Sequence, residues 1–463
     1  MLTTLIFIFL EISTPAFIDQ YDTRPNRIFF EYLETPFEVI KTSLYEYPWH
    51  FVAATIALMW LTRYLINFNR RILIDVHPWP IGFRVLWLPI LMFVLLVGAR
   101  SSFDHRPANS SIAAFTSDQL VNKLGLSSIY TVLDAAYNLR HEEVDSAIYG
   151  KMDAAAMVKI IRQKMFVESD VFVEDELSTW HKQVTSQSNQ TPNLVIILEE
   201  SLGAGFVGKL GGVGVTPELD KLSSEGMWFT NLYSTGTRSA RGIEAVIAGY
   251  PPSPSRSVLK LGLAQQNFAT LASTLKQHNY ATQFIYGGES HFDNMAGFFL
   301  ANGFDRVTDQ NDFTNEKFRG TWGVSDEDLL QRVDQELQKD SSEPRFILAF
   351  SSSNHSPFEF PDNTIDLHDQ DKHTVNNAVK YADYAVGQFF QQARNRTYWD
   401  NTIFMVVADH DTRVFGAALV PVNKFHIPGL IIGPGVPKKG YTKIASQIDL
   451  APTLLNLMGL SSD

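Results

Sequence analysis

The chain has 463 residues and no cysteine, and its 38 Lys and Arg against 50 Asp and Glu give a formal net charge of −12. The length suggests two or three structural units of roughly 150 residues each. The acidic balance argues against general nucleic-acid binding, because neutralising phosphates requires clustered Lys and Arg. The lack of cysteine excludes disulfides, thiolate metal sites and cysteine nucleophiles.

The first hundred residues contain three apolar runs, at 2–10, 47–65 and 85–99. The second and third approach the roughly 17–25 residues that cross a bilayer. Four tryptophans are placed like interfacial anchors: Trp49, Trp60, Trp79 and Trp87. We therefore expect residues 1–100 to form a transmembrane helical anchor, with buried helices of a soluble protein as the alternative. The run at 2–10 is too short to span, lacks the features of a signal peptide and is interpreted as the remnant of a helix.

The connection between the two longer runs is basic. It contains one acid, Asp75, against four arginines: Arg63, Arg70, Arg71 and Arg84. By the positive-inside rule this connection is cytoplasmic, so the chain after about Arg100 is expected on the outer face. The prediction is a multi-pass protein of a bacterial inner membrane whose catalytic domain faces the periplasm.

Residues 101–192 are mostly polar and predict a helical connector. The helices predicted within it are 117–124, 128–140 and 154–165. Its end, 184–192, is rich in Ser, Gln, Thr and Asn and is typical of a linker.

From residue 193 to 463, short continuous apolar runs alternate with helical stretches. This pattern predicts an α/β domain whose sheet is covered by helices on both faces. The predicted strands are 194–198, 228–233, 282–286, 346–350, 402–408 and 429–432. The predicted helices are 217–224, 240–248, 268–277, 326–337, 374–392 and 448–457.

Polar residues follow two of these strands directly. Glu200 comes after the first strand, and Asp409 with His410 comes after the strand at 402–408. Ligands of open α/β sheets bind at the carboxyl ends of strands, so these side chains are expected at one edge. Oxygen and nitrogen ligands of this kind suit a divalent metal. Taken singly, each motif is more often a helix cap or a turn.

Ser239 directly precedes the predicted helix 240–248, which Gly249 closes. Its hydroxyl is therefore expected where unpaired backbone N–H groups create positive potential. An anionic substrate would be attracted there. Together with the acidic motifs, the pattern predicts a metal-activated hydroxyl nucleophile. Arg238 and Arg241 are candidates to hold phosphate oxygens, and a solvated surface role is equally open for both.

Several segments resemble the lipoteichoic acid synthase-like phosphoglycerol transferases, within the sulfatase and alkaline phosphatase superfamily. They are 193–201 (NLVIILEES), 216–233, 322–326 (WGVSD), 354–358 (NHSPF), 407–410 (VADH) and 446–454 (SQIDLAPTL). The matches occur in order across nearly the whole of 193–463. The resemblance implies an alkaline phosphatase-like fold with a mixed, mostly parallel sheet sandwiched by helices.

The resemblance also implies roles for individual residues. The implied metal ligands are Glu200, Asp409, His410 and Ser239, and Ser239 would also be the nucleophile. The implied substrate contacts are Trp322, His291 and His355, of which His355 would bind the phosphoryl group or protonate the leaving group. The alternatives are ordinary loop roles for the two histidines and core packing for the tryptophan.

The chain departs from the family pattern in two ways. The family usually has threonine where this chain has Ser239, so Thr237 is the fallback nucleophile. Ser239 is preferred because it aligns with the nucleophile of the sulfatase signature and Gly249 with its last glycine. Family members also commonly begin with more membrane helices and extend further, so we expect this chain to be truncated.

The implied activity is metal-dependent transfer of glycerophosphate from phosphatidylglycerol to an envelope glycan or lipid through a covalent Ser or Thr intermediate. Manganese is the expected metal, with zinc and magnesium open, and no nucleic-acid partner is expected. The nearest rival is a sulfuric ester or phosphodiester hydrolase, although Arg241 and Ile243 occupy the Pro and Arg positions of a formylglycine motif. The absence of cysteine argues against a disulfide-rich phosphoethanolamine transferase. A membrane-tethered binding protein without activity is the remaining alternative. The sequence leaves the acceptor and the oligomeric state open.

Overall fold

The computed structural model describes residues 2–21, 23–26, 29–30, 48–74, 79–102, 105–116, 118–142, 152–165, 172, 179, 191–253, 256–261, 264–412 and 420–460. Most of the predicted linker at 184–192 lies outside the described residues. The chain divides into two compact units, Met1–Glu143 and Val144–Asp463. The predicted three-part division at 100 and 192 stays a prediction.

The first unit is helical. Its helices are α1 Leu2–Tyr21, α2 Pro48–Ile74, α3 Ile81–Arg100, α4 Gln119–Leu124 and α5 Ser128–Glu142. Phe51–Ile72 in α2 and Ile81–Arg100 in α3 are long and apolar enough to cross a membrane, judged by length and composition alone. The run predicted at 2–10 is the first half of α1, which continues through Pro15.

The second unit contains the remaining helices and a large sheet. The helices are α6 Ala154–Lys164, α7 Pro217–Leu222, α8 Ser239–Ala248, α9 Leu271–Gln277, α10 Met295–Ala301, α11 Asp326–Gln338, α12 Val375–Ala393 and α13 Leu450–Leu457. The strands are β1 Asn193–Glu199, β2 Met227–Tyr233, β3 Ala281–Tyr286, β4 Arg306–Thr308, β5 Arg319–Gly320, β6 Gly323–Val324, β7 Arg345–Phe350, β8 Thr402–Ala408, β9 His426–Ile432, β10 Lys439–Tyr441 and β11 Ala445–Ser446.

The main sheet has the strand order β10-β2-β9-β8-β1-β7-β3-β4, with β11 also paired to β2. Strand β9 runs antiparallel to β2 and β8, and every other pairing between described strands of this sheet is parallel. The predicted mixed, mostly parallel α/β sheet is therefore confirmed. Strand direction reverses from β2 to β9 and reverses again from β9 to β8. Strands β2 and β8 therefore end at the same edge of the sheet as β1, β7 and β3.

The central strands are continuous apolar runs because both of their faces are covered. All seven residues of β8 are buried, as are six of the seven in β1. Helix α11 packs on β7 and β3, which places its apolar side against the sheet. Burial on both faces is the condition under which parallel strands lose the alternation of polar and apolar residues.

Some predicted boundaries are wrong. The helix predicted at 268–277 begins at Leu271, because Thr270 forms a capping box with Ser273. The strand predicted at 429–432 begins at His426 and includes Pro428. Proline cannot donate a ladder hydrogen bond, and the register of β2 against β9 shifts where Pro428 lies.

Candidate active site

The site forms where β1 and β8 end side by side. Glu199 and Ala408 are paired in register at the ends of these strands, and Asp409 N donates to Glu199 O at 3.0 Å. The residues that follow, Glu200 and Asp409, therefore leave the sheet next to each other. This is the arrangement that the two strand-end motifs predict.

Glu200, Asp409 and His410 form a buried cluster. Each offers one ligand atom, and these atoms lie within 4.8 Å of one another. His410 Nε2 is 3.4 Å from Asp409 Oδ2 and 3.8 Å from Glu200 Oε1. The structure thus brings together three of the four side chains that are predicted to bind the metal.

The Ser239 hydroxyl lies against this cluster. Ser239 is the first residue of α8, and its Oγ donates to Glu200 Oε2 at 3.1 Å and lies 3.4 Å from His410 Nε2. The described side chain of Thr237 makes no hydrogen bond to either of those residues. Gly249 ends α8 with a φ of 58°, the left-handed conformation that glycine adopts without strain. The assignment of Ser239 rather than Thr237 as nucleophile remains a prediction.

Close packing holds α8 against the end of β8. A Cβ built on Gly242 would lie 2.2 Å from the carbonyl oxygen of Asp409. Only glycine allows the helix backbone to approach that strand end so closely. This backbone contact therefore helps to position Ser239 relative to Asp409.

Ser201 is a site residue that the sequence analysis did not single out. Its Oγ donates to Glu200 Oε1 at 2.6 Å, and its backbone N–H donates to Asp409 Oδ1 at 2.7 Å. It has a φ of 52°, an unusual conformation for a residue other than glycine. Ser201 orients both carboxylates. A serine directly after Glu200 is visible in the sequence, but its left-handed backbone is not.

The carboxylates repel each other and are shielded from water. Burial and the neighbouring Glu200 raise the pKa of Asp409 to about 7. Burial alone lowers the pKa of His410, but Asp409 and Glu200 outweigh it, so that pKa is raised. Asp409 is therefore partly protonated at neutral pH.

These residues fit a divalent cation. Asp409 Oδ2 is buried and accepts no hydrogen bond from any described residue. His410 Nδ1 donates a hydrogen bond to the carbonyl oxygen of Asp411, because a carbonyl oxygen can only accept. In the neutral ring, Nε2 is then unprotonated, and its lone pair points towards the two carboxylates. Two carboxylate oxygens and this nitrogen converge on one point, which is costly unless a cation or protons lie between them.

The two arginines near the nucleophile differ. Arg238 is exposed and directly precedes α8. Arg241 forms a 2.8 Å ion pair with the fully buried Glu244 and donates to Ser253 O at 3.0 Å. Arg241 therefore already has a structural task, and its role in phosphate binding stays a prediction, as does that of Arg238.

Trp322 and His355 lie together on loops after β5 and β7. Their ring centroids are 3.5 Å apart, and Trp322 Nε1 donates to Ser356 O at 2.7 Å. Trp322 belongs to the turn between β5 and β6. The next residue, Gly323, packs against the loop after β3, because a Cβ on it would lie 2.0 Å from Gly287 O. The two aromatic side chains form one partly exposed surface. Their contact with substrate stays a prediction.

His291 follows β3 at the same edge of the sheet. Its side chain is buried, and its Nε2 lies 3.6 Å from Glu289 Oε2. The next residue, Phe292, makes an edge contact with Trp322 at a centroid distance of 5.9 Å. This places the His291 loop against the aromatic surface, and the predicted role of His291 in substrate binding stays a prediction.

Comparison with known proteins identifies the family. The family model described as Sulfatase matches residues 192–460, which is more than half of the chain. The chain belongs to the sulfatase family. A crystal structure of an alkaline phosphatase superfamily protein from Vibrio parahaemolyticus is 50% identical, with a TM-score of 0.64, covering 68% of this chain and 77% of that one. The resemblance to that superfamily is therefore confirmed.

Relatives with named activities are more distant. Lipoteichoic acid synthase 2 of Bacillus subtilis is 22% identical over 82% of this chain, and phosphoglycerol transferase I of Xanthomonas campestris is 26% identical over 58% of it. The chain spans 60% and 40% of the lengths of those proteins. This chain shares the fold of a lipoteichoic acid synthase from Listeria monocytogenes, with 24% identity and a TM-score of 0.52. The match covers 60% of this chain and 76% of that one.

Proposed function

We propose that this protein is a membrane-anchored, metal-dependent phosphoglycerol transferase. It would move glycerophosphate from phosphatidylglycerol to an envelope glycan or lipid. The observation that carries the proposal is the Ser239 hydroxyl set between Glu200 and His410, beside the buried Asp409. The similarity to lipoteichoic acid synthase 2 and phosphoglycerol transferase I supports the choice of transferred group.

The reaction consists of two displacements at phosphorus. Ser239 Oγ gives its proton to Glu200 Oε2, which accepts its hydrogen bond, and forms a bond to the phosphorus of the donor as the bond from phosphorus to the diacylglycerol oxygen breaks. The leaving diacylglycerol oxygen takes a proton, for which His355 is the proposed source. An acceptor hydroxyl then attacks the phosphorus and gives its proton to His355. The bond from phosphorus to Ser239 Oγ breaks, and Oγ takes its proton back from Glu200.

Glu200, Asp409, His410 and Ser239 would hold the metal, which we propose to be Mn²⁺. When bound, it would lower the pKa of the serine hydroxyl and neutralise charge on the phosphate. The hydroxyl already points at Glu200 Oε2, which orients the Oγ lone pairs away from that carboxylate. Ser201 holds Glu200 and Asp409 in place through its hydroxyl and its backbone N–H.

The start of α8 would bind the phosphate oxygens. Its N-cap residue Arg238 makes no side-chain capping bond, and a ten-residue helix presents its first N–H groups at this end. Arg238 is exposed beside them and would add a positive charge. Trp322, His355 and His291 would contact the glycerol head group or the acceptor from the neighbouring loops.

We further propose that α2 and α3 anchor the chain in a bacterial inner membrane, with residues 101–192 as connector and 193–463 as periplasmic catalytic domain. The basic connection between the two helices supports this orientation. Because the chain has no cysteine, one introduced cysteine reports its own location without background. A membrane-impermeant maleimide on intact cells should label Lys209→Cys and not His77→Cys, which lies in sequence between the two candidate spans. The reverse pattern would contradict the orientation.

The assay for the activity is release of diacylglycerol from labelled phosphatidylglycerol. Loss of the nucleophile should lower the rate by roughly a thousandfold or more in Ser239→Ala. Thr237→Ala is the matched control, since it removes a neighbouring hydroxyl and should retain activity. Equal rates for Ser239→Ala and wild type would reject the assigned nucleophile.

The products distinguish the transferase from the hydrolase alternative. A transferase gives an acceptor that carries glycerophosphate, whereas a phosphodiester hydrolase gives free glycerophosphate with or without an acceptor. Addition of an isolated envelope glycan or lipid fraction should therefore increase diacylglycerol release and move the label into that fraction. If diacylglycerol is released at the same rate without the added fraction and the label appears as free glycerophosphate, hydrolysis is favoured.

A further inference from the structure

Gln447 is a buried amide at the junction of the nucleophile loop and the metal-ligand strand. It begins the single helical turn Gln447–Asp449, directly after β11, and its side chain is completely buried. It belongs to the segment 446–454, which carries the family resemblance but has no role in the proposed reaction. A buried amide without a catalytic task must be accounted for by its hydrogen bonds.

The hydrogen bonds of Gln447 reach both halves of the site. Its Nε2 donates to the carbonyl oxygens of Ala408 at 2.8 Å and of Asp409 at 2.7 Å. Its Oε1 accepts from the backbone N–H of Thr235 at 3.0 Å. Both amide hydrogens and the amide oxygen are thus used. The three shorter bonds go to backbone groups, and Thr235 Oγ1 also lies 3.4 Å from Oε1.

These partners fix the two segments whose spacing matters for the site. Ala408 and Asp409 end β8, and their carbonyl positions determine where the Asp409 and His410 side chains begin. Thr235 lies in the loop between β2 and α8, four residues before Ser239, and its Oγ1 donates to Arg241 O at 3.3 Å. The amide of Gln447 therefore bridges the loop that delivers the hydroxyl and the strand that delivers the metal ligands.

We propose that Gln447 is a positioning residue that sets the distance between Ser239 and the Asp409–His410 pair. It thereby holds the geometry that a divalent cation needs at Glu200, Asp409 and His410. The inference rests on the proposed function for the identity of the cation site and the nucleophile. Residues that orient metal ligands typically change metal affinity 10–100-fold when they are replaced.

The alternative is that Gln447 contributes stability only. The chain offers a matched control in Asn302, another buried amide with the same bonding pattern away from the site. Its Oδ1 accepts from Phe268 N at 2.7 Å, and its Nδ2 donates to Ala264 O and Phe298 O, both at 2.9 Å. Replacement of either amide removes three hydrogen bonds to backbone groups, but only one of them bridges the site.

The experiment measures Mn²⁺ binding to the metal-stripped full chain by calorimetry, at a temperature at which circular dichroism shows every variant folded. Gln447→Met should weaken Mn²⁺ binding by about 10–100-fold. Asn302→Leu should stay within about twofold of wild type, because its site shares no partner with the cluster. Wild-type affinity in Gln447→Met, or an equal loss in Asn302→Leu, would overturn the proposal.

Gln447→Glu serves if Gln447→Met does not fold. It keeps the side-chain length and the acceptor for Thr235, but a carboxyl group has at most one donor and so loses at least one of the bonds to Ala408 O and Asp409 O. It should also lose Mn²⁺ affinity, and unchanged affinity would overturn the proposal.

Turnover gives a second readout. Misplacement of the hydroxyl should lower kcat for diacylglycerol release and leave KM for phosphatidylglycerol nearly unchanged, whereas Asn302→Leu should change neither. Equal kcat losses in the two variants would overturn the proposal. Absence of turnover in wild type, with the Mn²⁺ difference intact, would reject the phosphoglycerol transferase function and leave the positioning role standing.

Discussion

Metal binding to the cluster should strengthen as pH rises. Burial and Glu200 raise the pKa of Asp409 to about 7, and the pKa of His410 is raised by the same two carboxylates. A divalent cation must displace these protons, since it binds the ionised carboxylate and the neutral imidazole. One competing proton with a pKa of about 7 lowers the apparent affinity about tenfold between pH 8 and pH 6, and a second proton on His410 lowers it further.

The assay is titration of the metal-stripped full chain with Mn²⁺ at pH 6, 7 and 8, in buffers of different ionisation enthalpy that count the protons released. A matched control is Asp383→Asn, which removes a carboxyl group whose pKa burial also raises to about 7 but which lies outside the cluster. The control should show the wild-type pH dependence. An affinity that is constant or that falls from pH 6 to pH 8 would refute the account of the cluster.

Three further outcomes are expected. Gly242→Ala places a Cβ 2.2 Å from Asp409 O, so it should cost about 1–3 kcal/mol of unfolding free energy, and an unchanged melting temperature would contradict the close approach. The pKa of Asp383 is raised to about 7, so the folded wild type loses stability as pH rises from the ordinary carboxyl range through 7. In chemical denaturation, the unfolding free energy of Asp383→Asn should therefore rise by about 2–3 kcal/mol relative to wild type between pH 5 and pH 8. A constant difference would contradict this. Trp322→Ala removes the ring that contacts His355 at an interplanar angle of 30° and should raise KM for phosphatidylglycerol without changing Mn²⁺ affinity. A loss of Mn²⁺ binding would show that Trp322 acts on the metal cluster instead.

The central sheet could be predicted because its strands are continuous apolar runs. β8 coincides with its predicted range 402–408, β7 begins one residue earlier than predicted, and β1 is one residue longer at each end. The short strands β4, β10 and β11 were not predicted, because two or three residues carry no pattern and pair only when the fold brings them to the sheet. Helix α10 was also missed, since its N-cap Asn294 has a left-handed backbone and no side-chain capping bond.

The site could be predicted in part for a similar reason. Residues directly after buried parallel strands converge at one edge whatever their separation in sequence, which is how Glu200 and Asp409 could be paired. The contributions of Ser201 and Gln447 depend on a left-handed backbone and on hydrogen bonds between distant segments. No local pattern indicates either. The structural task of Arg241, its ion pair with Glu244, is also a tertiary contact.

The most direct test of the central claim is mass spectrometry of the protein after incubation with phosphatidylglycerol and Mn²⁺ but without an acceptor. The account predicts a glycerophosphoryl group on Ser239, present in wild type and in Thr237→Ala and absent from Ser239→Ala. A glycerophosphoryl group on Thr237, or turnover in wild type without any covalent adduct, would contradict it.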